Sequence, residues 1–358
     1  MKTTHSIHFT DARRMMDVPD VSIDLVVTSP PYPMIEMWDD LFRKMDPDVN
    51  KCLSAQDGPG AFQAMHRLLD PVWQECFRVL KPGGFACINI GDATRSIATQ
   101  FALYTNHARI LSSTGKIGFT SLPCIIWRKH PNAPNKFMGS GMLPAGAYVT
   151  LEHEYILILR KNGKREFKTE EDRQRRRESA IFWEERNLWF SDIWFDLKGT
   201  PQTLADAQER KRSAAFPFEL AYRLINMFSL QADQVLDPFM GTGTTLAAAM
   251  AAGRSCVGYE MDQRLISAIH RTVRGVMLPT DQASAKRLIQ HQAFVEQRAA
   301  AGNPLKYVNE TYGFPVVTNQ EKWLHLHVPA DLIQADESRF QVTHDVARMP
   351  FKYNLFDN

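Results

Sequence analysis

Cysteine is scarce in this chain of 358 residues: Cys52, Cys76, Cys87, Cys124 and Cys256 are scattered, odd in number and form no CxxC pair. That argues against a disulfide framework and a zinc site, so no metal is expected, and it fits a reducing, cytoplasmic setting. Net charge is nearly absent, at +2, so any case for nucleic acid must rest on local patches. No apolar run approaches the roughly 20 residues of a membrane span, and Met1 to Arg14 lacks the apolar core of a signal peptide, so no membrane association is expected. No glycine turn is followed by the Lys of a G-K-[ST] phosphate loop, which removes that class of nucleotide site. What is present, 44% apolar and 23% charged residues, suits a globular protein with one large domain, or a domain with a smaller lobe.

Two stretches stand out. In the first, Asp24-Leu25-Val26-Val27-Thr28 runs into Ser29-Pro30-Pro31-Tyr32. This reads as a buried parallel strand bounded by a proline pair, and ligands in open α/β sheets bind beyond the carboxyl ends of such strands. The prolines fix φ and remove two donors, leaving a stiff loop with carbonyls free to accept. A hydroxyl, rigid carbonyls and an aromatic face could grip a flat heterocycle by its exocyclic amine. An ordinary strand closed by a proline turn accounts for the motif equally well when it is taken alone. In the second stretch, Val235-Leu236-Asp237-Pro238-Phe239-Met240-Gly241-Thr242-Gly243-Thr244-Thr245, a strand enters a glycine turn and then a helix ended by Gly253. Glycines let a ligand approach the backbone closely and leave the helix N-terminus open. Val257-Gly258-Tyr259-Glu260 then ends a further strand with an acid, where a ribose diol would be held.

Around these, Ser6 to Asp11 reads as a short strand with Asp11 at its end, or as a helix N-cap. Residues 33–60 read as a long loop. Asp70-Pro71 reads as a helix start, with Trp73, Cys76, Phe77 and Leu80 on one face, and Lys81-Pro82-Gly83-Gly84 as its end. Phe85 to Ile90 is the next strand, which makes a βαβ crossover and a parallel sheet. A helix over roughly 97–112 and strands at Cys124 to Trp127 and Glu154 to Leu159 enlarge the sheet. From Arg160 to Arg212 basic residues, among them Arg173, Arg175, Arg176, Arg177, Arg210, Lys211 and Arg212, alternate with aromatics. Two readings compete: lysines and arginines for DNA phosphates, or a solvated helix neutralised by Glu170, Glu171, Asp172 and Glu178. Trp323 to Val328 alternates like a half-exposed strand, and His325 with His327 on one face reads as surface strand, not as metal ligands.

The two motifs together resemble those of amino-group DNA methyltransferases that use S-adenosylmethionine, in the beta arrangement. That family carries (D/N/S)-P-P-(Y/F) first and D-P-F-x-G-x-G-T-T late, with a target-recognition region between; Ser29 to Tyr32 and Asp237 to Thr245 stand in that order. The resemblance implies a Rossmann-like α/β methyltransferase fold, a mostly parallel sheet with helices on both faces and permuted motif order. It divides the chain into a catalytic half (1–160), a candidate target-recognition region (161–212), a cofactor half (213–275) and a C-terminal extension (276–358). It implies that Ser29, Pro30, Pro31 and Tyr32 are catalytic. Asp237, Pro238, Phe239, Gly241, Gly243 and Thr244 would cradle the methionine part of the cofactor, Glu260 the ribose and Asp11 the adenine amine, with Phe216 and Pro217 lining the pocket. It implies S-adenosylhomocysteine as co-product and double-stranded DNA as partner, with a restriction endonuclease as functional counterpart and a monomer or homodimer as the working form. Ser29 in first place favours cytosine N4 over adenine N6. A C5-cytosine enzyme would need a Pro-Cys-Gln nucleophile, and Pro123-Cys124-Ile125 does not supply one.

Overall fold

The computed structural model describes residues 1–129, 138–198, 216–278 and 283–348; the basic positions Arg210, Lys211 and Arg212 lie outside them.

Among the described residues, eleven strands form one sheet. In chain order they are β1 (Lys2–His8), β2 (Ile23–Thr28), β3 (Leu80–Ile90), β4 (Phe119–Ser121), β5 (Ile125–Arg128), β6 (His153–Lys161), β7 (Ile193–Trp194), β8 (Gln234–Asp237), β9 (Ser255–Tyr259), β10 (His327–Gln334) and β11 (Arg339–Val346). The order across the sheet is β7-β5-β6-β3-β2-β8-β9-β1-β11-β10, with β4 also paired to β6. The central run β3-β2-β8-β9-β1 is parallel throughout. β6 joins one side antiparallel, and β11 and β10 the other.

All six residues of β2 are buried, as expected of a strand covered on both faces. Its apolar residues divide between two cores, alternating from Leu25 on after a register shift past Ile23. Leu25 and Val27 pack with α7 (Phe218–Phe228), α8 (Thr244–Ala251) and α9 (Ile266–Gly275), while Ile23 and Val26 pack with α1 (Asp39–Met45), α2 (Pro47–Ser54), α3 (Gly58–Val79) and α4 (Asn106–Ile117). Two short helices, α5 (Glu170–Glu178) and α6 (Trp183–Trp189), follow β6, and α10 (Ala283–Ala300) precedes the last strands.

Several expectations are corrected. Asp70-Pro71 does not start a helix: α3 begins at Gly58, capped by Asp57, and carries Pro71 inside it. Its buried stripe, Ala61, Ala64, Met65, Leu68, Leu69, Val72, Trp73 and Cys76, runs through the proline, and that burial offsets the roughly 3 kcal/mol an interior proline costs. Asp70, free of a capping role, binds Arg109 at 2.7 Å and Ser113 at 2.5 Å. The expected loop over 33–60 is largely helical, in α1 and α2. The helix expected from residue 97 begins only at Asn106, because Ala93–Ile97 and Gln100–Tyr104 pair as a hairpin. In the tail, the strand expected from Trp323 begins only at His327, Tyr307–Val308 and Pro315–Val316 pair as a short antiparallel ladder, and Phe182, Leu288, Phe314 and Leu324 form a small core of their own.

Candidate active site

The two motifs meet at the carboxyl end of the sheet. β2 and β8 are neighbours, with Val235 opposite Leu25 and Leu236 opposite Val26, so Ser29 and Asp237 emerge side by side. A hydrogen bond closes the junction: Thr28 Oγ1 donates to Asp237 Oδ1 at 2.6 Å. The same oxygen accepts from the Phe239 N–H at 3.0 Å. Burial pushes the Asp237 pKa up to about 6 against these hydrogen bonds.

The glycine turn follows. Gly241 and Gly243 both have positive φ, +55° and +85°, where a side chain would be strained. A Cβ at Gly241 would meet nothing within 4 Å, so the turn opens on free space. Gly258, on β9, leaves room for the Met240 side chain, whose end would have to move if a Cβ stood there. Glu260, one residue past β9, accepts from the Gly241 N–H at 2.9 Å and the Asp262 N–H at 2.8 Å. Its pKa is raised, chiefly by burial. Glu260 N–H in turn donates to His8 O at 3.0 Å, which brings the end of β1 into the site. Asp11, just beyond, is engaged by Arg13 Nε at 2.8 Å. Pro217 caps α7, Phe216 is buried beside it, and Phe239 meets Trp73 edge-on at 6.0 Å between centroids.

The Ser29 to Tyr32 loop is clamped from beneath. Asn106, fully buried, donates through Nδ2 to Pro33 O at 3.0 Å and Gly91 O at 2.9 Å, tying the loop to the end of β3. Met34, next along, sits at φ +68°, a left-handed conformation costly for a side chain and held here by burial and by Arg95, which pairs with Asp39 at 2.7 Å. Ser29 Oγ donates to Tyr32 Oη at 3.2 Å, and Tyr32 Oη donates to Glu154 Oε2 at 2.8 Å. Asn89 Nδ2 donates to Tyr32 Oη at 2.8 Å and to Glu154 Oε2 at 2.7 Å, while Lys129 Nζ holds Glu154 Oε1 at 2.7 Å. Burial and the neighbouring Glu154 raise the Tyr32 pKa, which keeps the phenol neutral. Only 8% of Tyr32 is exposed, so its ring presents a restricted face.

Ser29, Tyr32, Asp237, Gly241, Gly243 and Glu260 are thus brought together, with Asp11, Phe216 and Pro217 at the same end of the sheet. Arg173, Arg175, Arg176 and Arg177 are not. Lys161 ends β6 at the opposite end, bonded to Leu80 O at 2.7 Å, and α5 follows there. Arg175 lies 3.6 Å from Asp233, which precedes β8. Arg173 and Arg177 both pair with Glu170, at 2.9 and 2.8 Å, and Arg176 covers the Phe167 ring. The length of the central strands, roughly 20 Å at 3.3 Å per residue, separates these arginines from Ser29. Their acids lie within the same helix or beneath it, and the chain returns to the site only with β7.

Sequence reasoning missed Asn89, Asn106, Lys129 and Glu154. The signal was faint: Asn89 is a polar residue in the apolar run Phe85 to Ile90, and Glu154 opens another such run.

A profile of the DNA methylase family (N6 and N4 methyltransferases) matches residues 23–271. The chain is 50% identical over 342 residues to the Type II methyltransferase M.MthZI of Methanothermobacter thermautotrophicus, covering 95% of each. It is 49% identical over 274 residues to the Type II methyltransferase M.MjaI of Methanocaldococcus jannaschii, covering 74% of this chain and 89% of that one. Among solved structures, a DNA modification methylase from Thermus thermophilus, TTHA0409, complexed with S-adenosyl-L-methionine, superposes with a TM-score of 0.58 at 35% identity, covering 75% of this chain and 93% of the other. The cytosine-N4-specific PvuII DNA methyltransferase shares the fold, with a TM-score of 0.55 at 16% identity, covering 75% of this chain and 86% of the other.

Proposed function

This chain belongs to the N6 and N4 DNA methylase family, the Type II methyltransferases that use S-adenosylmethionine, and from that premise we propose that its product is N4-methylcytosine in double-stranded DNA. The observation that carries the choice of base is Ser29: a hydroxyl, not a carboxylate or amide, heads the proline motif. Its hydrogen is committed to Tyr32, which leaves its lone pairs to accept from an amine. The Pro30 carbonyl, on a loop without flanking donors, accepts the second amine hydrogen. These acceptors favour a pyramidal nitrogen whose lone pair points at the methyl donor, so positioning and electrostatics supply the acceleration.

The cofactor supplies an electrophilic methyl group on a sulfonium and leaves as S-adenosylhomocysteine, the sulfur keeping the bonding pair while the amine loses a proton to solvent. The residues present fit it. Open space at Gly241, the buried carboxyl of Asp237 and the helix start at Thr244 suit its methionine end. Glu260 suits the ribose hydroxyls, Asp11 the adenine amine, and Pro238, Phe239, Phe216 and Pro217 the apolar walls. The target cytosine, unreachable inside a duplex, is turned out and packs against the exposed face of Tyr32 beside Pro31. The similarity to Type II methyltransferases supports a role as the modification half of a restriction-modification pair.

Nucleoside mass analysis of DNA treated with the purified protein and S-adenosylmethionine tests the reading. N4-methylcytosine is expected. N6-methyladenine as sole product overturns the base assignment and leaves the family standing.

A further inference from the structure

Three side chains at the site have no part in the reaction as described, yet two of them meet on one atom and the third holds one of the two. Asn89, 2% exposed, and Glu154, 8% exposed, both bind the Tyr32 hydroxyl, and Lys129 holds the far oxygen of Glu154. They come from three separate segments: β3, the start of β6 and the residue after β5. A stacking platform alone needs no such anchor.

We propose that Glu154, acting through Tyr32, is a positioning residue for methyl transfer: it fixes the hydrogen of Ser29 on the Tyr32 oxygen and so presents Ser29 to the target amine as an acceptor only. The proposal rests on the amino-methylation reading above. A serine hydroxyl rotates, and in one orientation its hydrogen faces the hydrogens of the amine it should receive. A carboxylate at the same position has no such ambiguity. Here the direction of each bond is set from the far end. Glu154, ion-paired with Lys129 at 2.7 Å, accepts and does not donate. Tyr32 therefore gives its hydrogen to Glu154 at 2.8 Å, and its oxygen receives Asn89 Nδ2 at 2.8 Å and the Ser29 hydroxyl at 3.2 Å. Asn89 cannot present its carbonyl instead, because the same nitrogen also meets Glu154 at 2.7 Å. A carboxylate two hydrogen bonds away thus gives serine the one-way character that an aspartate would have directly, and bonds running in one direction polarise each other. Burial of these groups keeps water from competing for the Tyr32 oxygen.

The test uses the full-length protein, saturating S-adenosylmethionine and a duplex carrying the methylation site mapped with the wild type. Glu154→Gln keeps the shape and removes the charge; Tyr32→Phe keeps the ring and breaks the chain of hydrogen bonds. Each is expected to lower kcat ten- to hundredfold, with KM for DNA and the calorimetric Kd for S-adenosylmethionine within twofold of wild type. The double variant is expected to be no slower than Tyr32→Phe alone, since Glu154 reaches Ser29 only through that hydroxyl. A wild-type kcat in either variant overturns the proposal, as do effects that multiply in the double variant or fall on Kd or KM instead of kcat. If thermal melting shows Glu154→Gln unfolded, Tyr32→Phe decides alone by the same kcat criterion. A wild-type protein that methylates no base removes the amino-methylation reading and the relay with it, whereas relay failure leaves wild-type methylation intact.

Discussion

Asp237 is 2% exposed, and one of its oxygens already serves Thr28 and Phe239. Its pKa is raised by burial from 3.8 to about 6, so the folded protein binds an extra proton between those values. Its contribution to stability is therefore greatest at low pH and falls as pH rises through that window. A cofactor carrying ammonium and sulfonium charges favours the ionised carboxyl, so its affinity is expected to weaken as pH falls through about 6. Asp237→Asn should remove this pH dependence and bind S-adenosylmethionine roughly ten- to hundredfold more weakly, the cost of about 1.5–3 kcal/mol for a hydrogen bond to a charged group. Calorimetric titrations at pH 5.5 and 8 check both points; equal affinities for the variant and the wild type at pH 8 contradict the assignment. Asp237, Ser29 and Glu260 could be picked from sequence because each ends an apolar run inside a contiguous motif. Glu154 could not, since its bond to Tyr32 spans 122 residues and only strand pairing brings the two together.

At the scale of elements, α5 carries acids and arginines close enough to pair with one another, as the solvated-helix reading of its sequence has it. Glu170, Glu171 and Asp172 occupy its first turn and Arg175, Arg176 and Arg177 its last, an order that complements the helix dipole. With Arg173 and Arg177 both paired to Glu170, little net charge is left for a phosphate. Replacing Arg173 and Arg177 by Gln is expected to leave the salt dependence of DNA binding unchanged. A slope flattened by about one unit per arginine, measured by fluorescence anisotropy across a salt series, would place DNA on this helix. The parallel strands were legible because Leu25 to Val27 in β2 and Phe85 to Ile88 in β3 are unbroken apolar runs. The start of α3 was not, because Asp-Pro imitates a helix entrance and the stripe that decides the matter lies upstream of it. The same holds for the hairpin at Ala93–Tyr104, whose residues alternate too briefly to announce strands.

For the molecule as a whole, the tail is part of the sheet and not an appendage. β11 pairs along β1 from Lys2 to Ser6, and the Met1 ammonium donates to His344 O at 3.1 Å. His5 and His344 are buried beside this seam, and burial lowers the His5 pKa to about 3, so both imidazoles pack uncharged at neutral pH. Ending the chain at residue 326 removes β10 and β11 and leaves β1 an open edge, a template for association between chains. Such a truncation is expected to elute as aggregate on size-exclusion chromatography, where the full chain does not; a well-behaved truncated species would show the edge to be protected by other means. None of this was visible in composition, because a strand that closes an edge reads like any half-exposed strand until its partner is known. The pairing of β2 with β8 has a further consequence, in time and not in space. Thr28 and Asp237 are 209 residues apart. During synthesis at about 5–20 residues per second, β2 waits roughly 10–40 s beside β3 before its other neighbour leaves the ribosome. For that interval a strand whose every residue ends up buried has one edge bare. Through that interval the Ser29 to Tyr32 loop is already made and the Gly241 to Gly243 turn is not, and the bare edge is open to chaperones and to neighbours on the polysome.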